Sequence, residues 1–141
     1  AVVQHDMDTS ALGDPVGMIS GINKVLIPAD QDLCDQLSAC ATVLGIRTQT
    51  GVIASGDQFI SSSEKGDWLR EHIDNLKCVE MEGAAVGQVC CEFGVPHAII
   101  RVLSDGADES AQVDFDAFAD QAARYFTSGT VRRLLMREAQ F

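Results

Sequence analysis

Apolar positions along the chain switch between a helical period and short continuous runs, the pattern of helices laid over buried strands. From Ala29 to Leu44, the residues Leu33, Leu37, Cys40, Ala41 and Leu44 recur at helical spacing, with Asp30 placed to cap the first turn and Gly45 to stop the last. Arg47 to Ser55 reads as a strand around the buried run Val52-Ile53-Ala54, and a loop from Ser55 to Ile60 follows it. Ser61-Ser62-Ser63-Glu64 opens a second helix carrying Trp68, Leu69, His72 and Ile73. Its serines suit the capping of free amides, and a Ser-rich helix start can also hold phosphate. Leu76 to Met81 is the next strand, Glu82 to Phe93 a helix closed by Gly94, and Pro96 to Leu103 an apolar strand containing Ala98-Ile99-Ile100. Strand, helix, strand predicts a parallel unit, with both strands ending at one sheet edge. A loop over Gly106 to Gln112 precedes a long helix from about Asp114 to Glu138. Phe115, Phe118, Ala119, Ala122, Tyr125 and Phe126 mark its apolar face, continued by Val131, Leu134 and Leu135.

Ala1 to Ser20 lacks this periodicity. A polar knot, His5-Asp6-Met7-Asp8, is followed by Gly13, Pro15 and Gly17, which reads as a strand end and then a loop. Three adjacent side chains do not easily converge on one ion, so hydrogen-bonded loop structure is set against metal binding there.

Composition narrows the class. The 141 residues are 46% hydrophobic, enough for one core in one domain. Ten Lys and Arg against 21 Asp and Glu give a net charge of -11, which repels polyanions and argues against nucleic acid and anionic membranes as partners. No apolar run approaches the roughly 20 residues that span a bilayer, and no secretory signal is legible, so a cytoplasmic protein is expected. The cysteines, Cys34, Cys40, Cys78, Cys90 and Cys91, show no C-x-x-C spacing, which argues against a disulfide framework or a zinc site.

The candidate chemistry lies in two turns joined by the Glu82–Phe93 helix. Val79-Glu80-Met81-Glu82 hands a strand over to a helix, and Arg101-Val102-Leu103-Ser104-Asp105 ends the following strand. Carboxylates brought together at the carboxyl edge of a parallel sheet stand where such folds bind ligands. The same spacing also fits solvated acids at a helix start, with Arg101 pairing with one of them. Spacing alone leaves both readings open.

Gly56-Asp57-Gln58-Phe59-Ile60, Val79-Glu80-Met81-Glu82 and Arg101-Val102-Leu103-Ser104-Asp105-Gly106-Ala107-Asp108 together resemble the signature blocks of the 5'-methylthioadenosine/S-adenosylhomocysteine nucleosidases. These belong to the purine nucleoside phosphorylase/uridine phosphorylase superfamily. The similarity runs from about His5 to the C-terminal helix. It implies an α/β fold with a mixed, largely parallel sheet flanked by helices. Residues 1–141 would be the C-terminal part of a single nucleoside phosphorylase-like domain, with the N-terminal part absent.

The resemblance also implies a purine nucleoside as the small-molecule partner, a homodimer, no cofactor, no metal and a place in methionine salvage. Glu82 would hold the ribose hydroxyls, with Met81 packing on the sugar and Glu80 in support. Asp105, oriented by Ser104, would protonate N7 of the leaving adenine. Phe59 would stack on the purine, the backbone of Ile60 would read its edge, and Phe115 would line the pocket for the 5' substituent. Arg101 would order the acids or a water.

The implied reaction is hydrolysis of the N-glycosidic bond of 5'-methylthioadenosine, S-adenosylhomocysteine or a related nucleoside such as aminodeoxyfutalosine, releasing adenine. The alternatives are a phosphate-dependent phosphorylase on the same fold and a non-catalytic nucleoside-binding module. Two departures from the family pattern bear on these. Its glycine-rich strand ends and water-activating acid have no counterpart here, so the isolated chain is expected to be inactive. Thr9 and Ser20, which with Leu12 would face the neighbouring subunit's pocket, are polar where the family is usually apolar or aromatic, which leaves the 5' group open.

Overall fold

The computed structural model describes residues 1–103, Phe126 and residues 128–138. Four strands form one sheet: β1 (Val2–Gln4), β2 (Leu26–Ile27), β3 (Val52–Ser55) and β4 (Leu76–Glu80), in the spatial order β2-β1-β3-β4. β1 runs parallel to β3 and β3 parallel to β4, while the edge strand β2 is antiparallel to β1. The sheet is therefore mixed and largely parallel, as expected. Its helices are α1 (Gln31–Val43), α2 (Ser63–His72), α3 (Gly83–Phe93) and α4 (Ser128–Glu138). A short 3-10 turn covers Ser10–Leu12. Among the described residues no helix is long and apolar enough to cross a membrane.

Local chemistry sets the helix ends. The Asp30 carboxylate accepts the Leu33 N–H at 2.9 Å, and the Ser62 hydroxyl accepts the Lys65 N–H at 3.3 Å, so each fills one of the unpaired donors of a first turn. Of the two uses considered for the serine-rich start, capping is the one formed. Gly94 ends α3 at a φ of 63°, a left-handed conformation open to glycine without a Cβ clash.

The core lies between the sheet and the helices laid on it. Val2, Val3, Ile27, Val52 and Ala54 are buried from the strands, Leu69 from α2, Ala84 from α3, and Cys40 with Ala41 from α1. α3 approaches the sheet through small residues: a Cβ on Gly87 would lie 3.3 Å from Cγ2 of Ile27. At the start of α3 the Ala84 N–H donates to the Ser55 hydroxyl at 3.0 Å, beside the ends of β3 and β4.

Two predicted elements differ. Pro96 to Leu103 enters no strand among the described residues; the His97 carbonyl accepts the Asp30 N–H at 2.7 Å. An apolar run becomes a strand only where a ladder partner lies beside it, and among the described residues β4 pairs with β3 alone. A parallel strand-helix-strand unit does form from β3, α2 and β4. Ala98–Leu103 instead walls a cavity of about 1140 Å3, faced by Leu37 and Ala41 of α1 and by Ile53 and Cys78 of the sheet. The strand expected over Arg47 to Ser55 is laddered only from Val52, where β1 and β4 flank it. Of the long closing helix, the stretch carrying Phe115, Phe118, Ala119, Ala122 and Tyr125 lies outside the described residues; at its described end Leu135 is 63% exposed. Thr130 is the buried position of α4, and its hydroxyl donates to the Phe126 carbonyl at 2.8 Å.

Leu69 is the one large side chain that α2 buries completely. Leu69→Ala is expected to cost about 2–5 kcal/mol of stability, through lost burial and the cavity left behind, read from the midpoint of urea unfolding.

Candidate active site

The turn from β4 into α3 divides its two acids by backbone position. Glu80 is the last residue of the strand, and its side chain is only 9% exposed. Its carboxylate accepts the Glu82 N–H at 3.2 Å and, through both oxygens, the Gly83 N–H at 2.9 Å. It thus serves the free donors at the start of α3, a place that also favours negative charge. Glu82 occupies the N-cap position but makes no side-chain cap bond, and its carboxylate is 68% exposed. A Cβ on Gly83 would fall 2.8 Å from Oε1 of Glu80, so a side chain there would displace the carboxylate.

Arg101 connects the acids. Its Nη2 donates to Oε2 of Glu80 and, at 2.9 Å, to Oε2 of Glu82. Ser55 completes the cluster from the end of β3. Its buried Oγ accepts the Ala84 N–H at 3.0 Å, and the hydroxyl hydrogen-bonds the Glu80 carboxylate. Burial, the largest single influence on Glu80, would raise its proton affinity. The Ser55 hydroxyl, the Gly83 N–H, the Arg101 guanidinium and the Glu82 N–H together outweigh it and hold this carboxyl below the ordinary range. The acids are therefore neither both solvated nor alike: Glu80 is tied inward, while Glu82 faces outward and pairs with Arg101.

Met81, between them, is 41% exposed. Across the edge, the loop after β3 presents Phe59 at 56% exposure and buries Ile60 at 8%. Glu80, Met81, Glu82 and Arg101 are thus brought to one turn, and Phe59 and Ile60 lie in the loop leaving the adjacent strand. Of these residues only Arg101 also lines the large cavity, so that cavity lies beyond the acids rather than around them. Ser104, Asp105 and Phe115, proposed from the resemblance, lie outside the described residues. Ser55 was missed; its signal was a hydroxyl ending the apolar run Val52-Ile53-Ala54 at the sheet's carboxyl edge.

The polar knot after β1 is a hydrogen-bonded loop. Asp8 accepts the Ser10 N–H at 2.9 Å, Thr9 donates to Asp14 at 3.1 Å, and Asp6 accepts the Asp57 N–H at 2.6 Å. Among the described residues no group of three or more His, Cys, Asp and Glu is placed to hold a metal ion.

The chain belongs to the phosphorylase superfamily, whose family model matches residues 1–135. It is 42% identical over 123 residues to the aminodeoxyfutalosine nucleosidase of Helicobacter pylori, covering 87% of this chain and 52% of that protein. It is 39% identical over 125 residues to the 5'-methylthioadenosine/S-adenosylhomocysteine nucleosidase of Geobacillus kaustophilus, covering 88% and 53%. The Neisseria meningitidis 5'-methylthioadenosine/S-adenosylhomocysteine nucleosidase, solved in complex with methylthio-immucillin-A, superposes with a TM-score of 0.88 at 34% identity over 95% of this chain and 58% of its own. The chain spans about half the length of the curated relatives it matches.

Glu80 gives the site a pH signature. A carboxyl whose folded-state affinity for a proton is depressed stabilises the fold when ionised, so its contribution is present above the ordinary carboxylate range and lost as pH falls through the folded value. The stability gap between wild type and Glu80→Gln is expected to be widest near about pH 7 and to close towards about pH 3, measured by urea unfolding across that range.

Proposed function

We propose that the protein carrying this chain hydrolyses the N-glycosidic bond of 5'-methylthioadenosine, S-adenosylhomocysteine or a related 6-aminopurine nucleoside, releasing adenine. The observation that carries the reading is the outward-facing Glu82, set on a turn whose other acid is fully engaged, next to a loop that exposes Phe59. Supporting it are the relatives and solved structures above, which are nucleosidases of this kind.

The chemistry follows from where charge develops. Breaking the bond from sugar to base builds positive charge on the ribose, so a carboxylate at the sugar hydroxyls binds that oxocarbenium-like state better than the ground state. Glu82 takes this role, Met81 packs on the sugar, and Glu80 keeps the turn in shape. The departing adenine gathers negative charge unless N7 is protonated. Asp105, oriented by Ser104, supplies the proton and must hold it near neutral pH. Phe59 stacks on the purine, Ile60 offers its backbone to the ring edge, and Phe115 borders the 5' group. Arg101, already shared by both acids, orders Glu82 or the attacking water. No metal or cofactor enters this scheme.

A homodimer and a cytoplasmic location belong to the same proposal. Exposed apolar side chains on the 3-10 turn (Leu12, 83%) and on α3 (Val89, 58%; Phe93, 77%) support a subunit contact through these segments. The second reading, phosphorolysis on the same fold, differs in its nucleophile.

Adenine release by the protein expressed from its complete reading frame is expected to be independent of inorganic phosphate, with free sugar as the co-product. Obligatory phosphate and a sugar 1-phosphate product would overturn hydrolysis. Asp105→Asn is expected to lower kcat by about 10²–10⁴-fold, as for loss of a general acid. Wild-type rates in that variant would show the proton donor to be misassigned.

A further inference from the structure

The polar knot after β1 sits under the loop that carries Phe59, and the contacts between them do more than close a turn. Backbone bonds hold the start of that loop from both sides. The His5 N–H donates to the Ser55 carbonyl at 3.0 Å, and the Gly56 N–H donates to the Glu80 carbonyl at 3.2 Å. The next amide has no strand to pair with, and there a side chain takes over: Oδ2 of Asp6 accepts the Asp57 N–H at 2.6 Å, across a sequence separation of 51 residues. Gly56 is pressed against this pair so closely that a Cβ would lie 2.7 Å from Nε2 of His5 and 2.8 Å from the Asp6 carboxyl carbon.

His5 is a costly residue for this place. It is 7% exposed, and both of its ring nitrogens are buried without a hydrogen-bond partner among the described residues, as is Oδ1 of Asp6. Polar atoms buried unpaired cost free energy that an apolar ring of similar size would not.

From these contacts we infer that Asp6 is a positioning residue for the purine-stacking loop. Asp6 clamps Asp57 from below, and the His5 ring walls the side of Gly56. Phe59 follows two residues beyond the clamped amide. It is 56% exposed, so little of its own packing fixes it, and its presentation depends on the backbone that precedes it. This rests on the reading of Phe59 as the residue that stacks on the purine. An Asp6 side chain that acts only through this loop should affect affinity for the base and leave the bond-breaking step at Glu82 and Asp105 nearly untouched.

The test compares Asp6→Ala, which removes the acceptor, with Asp6→Asn, which keeps an oxygen able to accept the Asp57 N–H. Both are made in the protein expressed from its complete reading frame. For adenine release from 5'-methylthioadenosine, Asp6→Ala is expected to raise KM about tenfold with kcat within about twofold of wild type, and Asp6→Asn to keep both within about twofold. Amide hydrogen exchange is read on the same proteins. Gln58, Phe59 and Ile60 are expected to exchange faster in Asp6→Ala than in Asp6→Asn, with the α1 amides unchanged in both. A fall in kcat with KM unmoved, an Asn variant as impaired as the Ala variant, or loop exchange unaffected by either would overturn the inference. If wild type releases no adenine while the exchange pattern appears, the functional reading fails and the clamp stands.

Discussion

The edge of this sheet depends on one carboxylate. Glu80 ends β4 with its side chain almost out of water, where an unpaired charge would be expensive. It is kept there because the fold surrounds it with donors: two amides at the start of α3, the Ser55 hydroxyl from β3 and the Arg101 guanidinium. Three separate pieces of chain thus meet at one anion, and no single piece could satisfy it. Charge-assisted bonds of this kind are among the stronger polar contacts available to a protein.

Engaging Glu80 in this way defines what Glu82 is free to do. Were both acids at the turn directed inward, Arg101 would close a structural knot and nothing would remain for a ligand. Instead Glu82 stays 68% exposed, held at one oxygen by Arg101, beside a half-exposed methionine and a loop that offers an aromatic face. That division of labour between two acids two residues apart is what the sugar-binding role proposed for Glu82 rests on. It also explains why α3 begins with Gly83 and Ala84: Gly83 leaves room for the Glu80 carboxylate, and the Ala84 amide reaches Ser55.

Much of this was legible from residue pattern. Asp30, Ser62 and Gly94 announced helix ends where they occur, and the runs at Val52–Ala54 and Leu76–Val79 announced strands of a largely parallel sheet. Pattern failed where pairing decides. Ala98-Ile99-Ile100 has strand composition but no ladder partner among the described residues, while Leu26–Ile27, too short to show alternation, becomes an edge strand because β1 lies beside it. The signature acids were found, yet spacing gave no way to tell which one turns inward, since that depends on Ser55 and Arg101 arriving from elsewhere in the chain. The clamp of Asp6 on Asp57 was invisible for the same reason.

A double-mutant cycle tests the central role of Glu80 most directly. Stability is measured by urea unfolding at neutral pH for Glu80→Gln, Glu82→Gln and Arg101→Met, and for each acid variant combined with Arg101→Met. The expected result is a coupling of about 1–3 kcal/mol between Arg101 and the buried Glu80, and under about 1 kcal/mol between Arg101 and the exposed Glu82. Equal couplings, or a larger one at Glu82, would contradict the assignment of Glu80 as the internal brace.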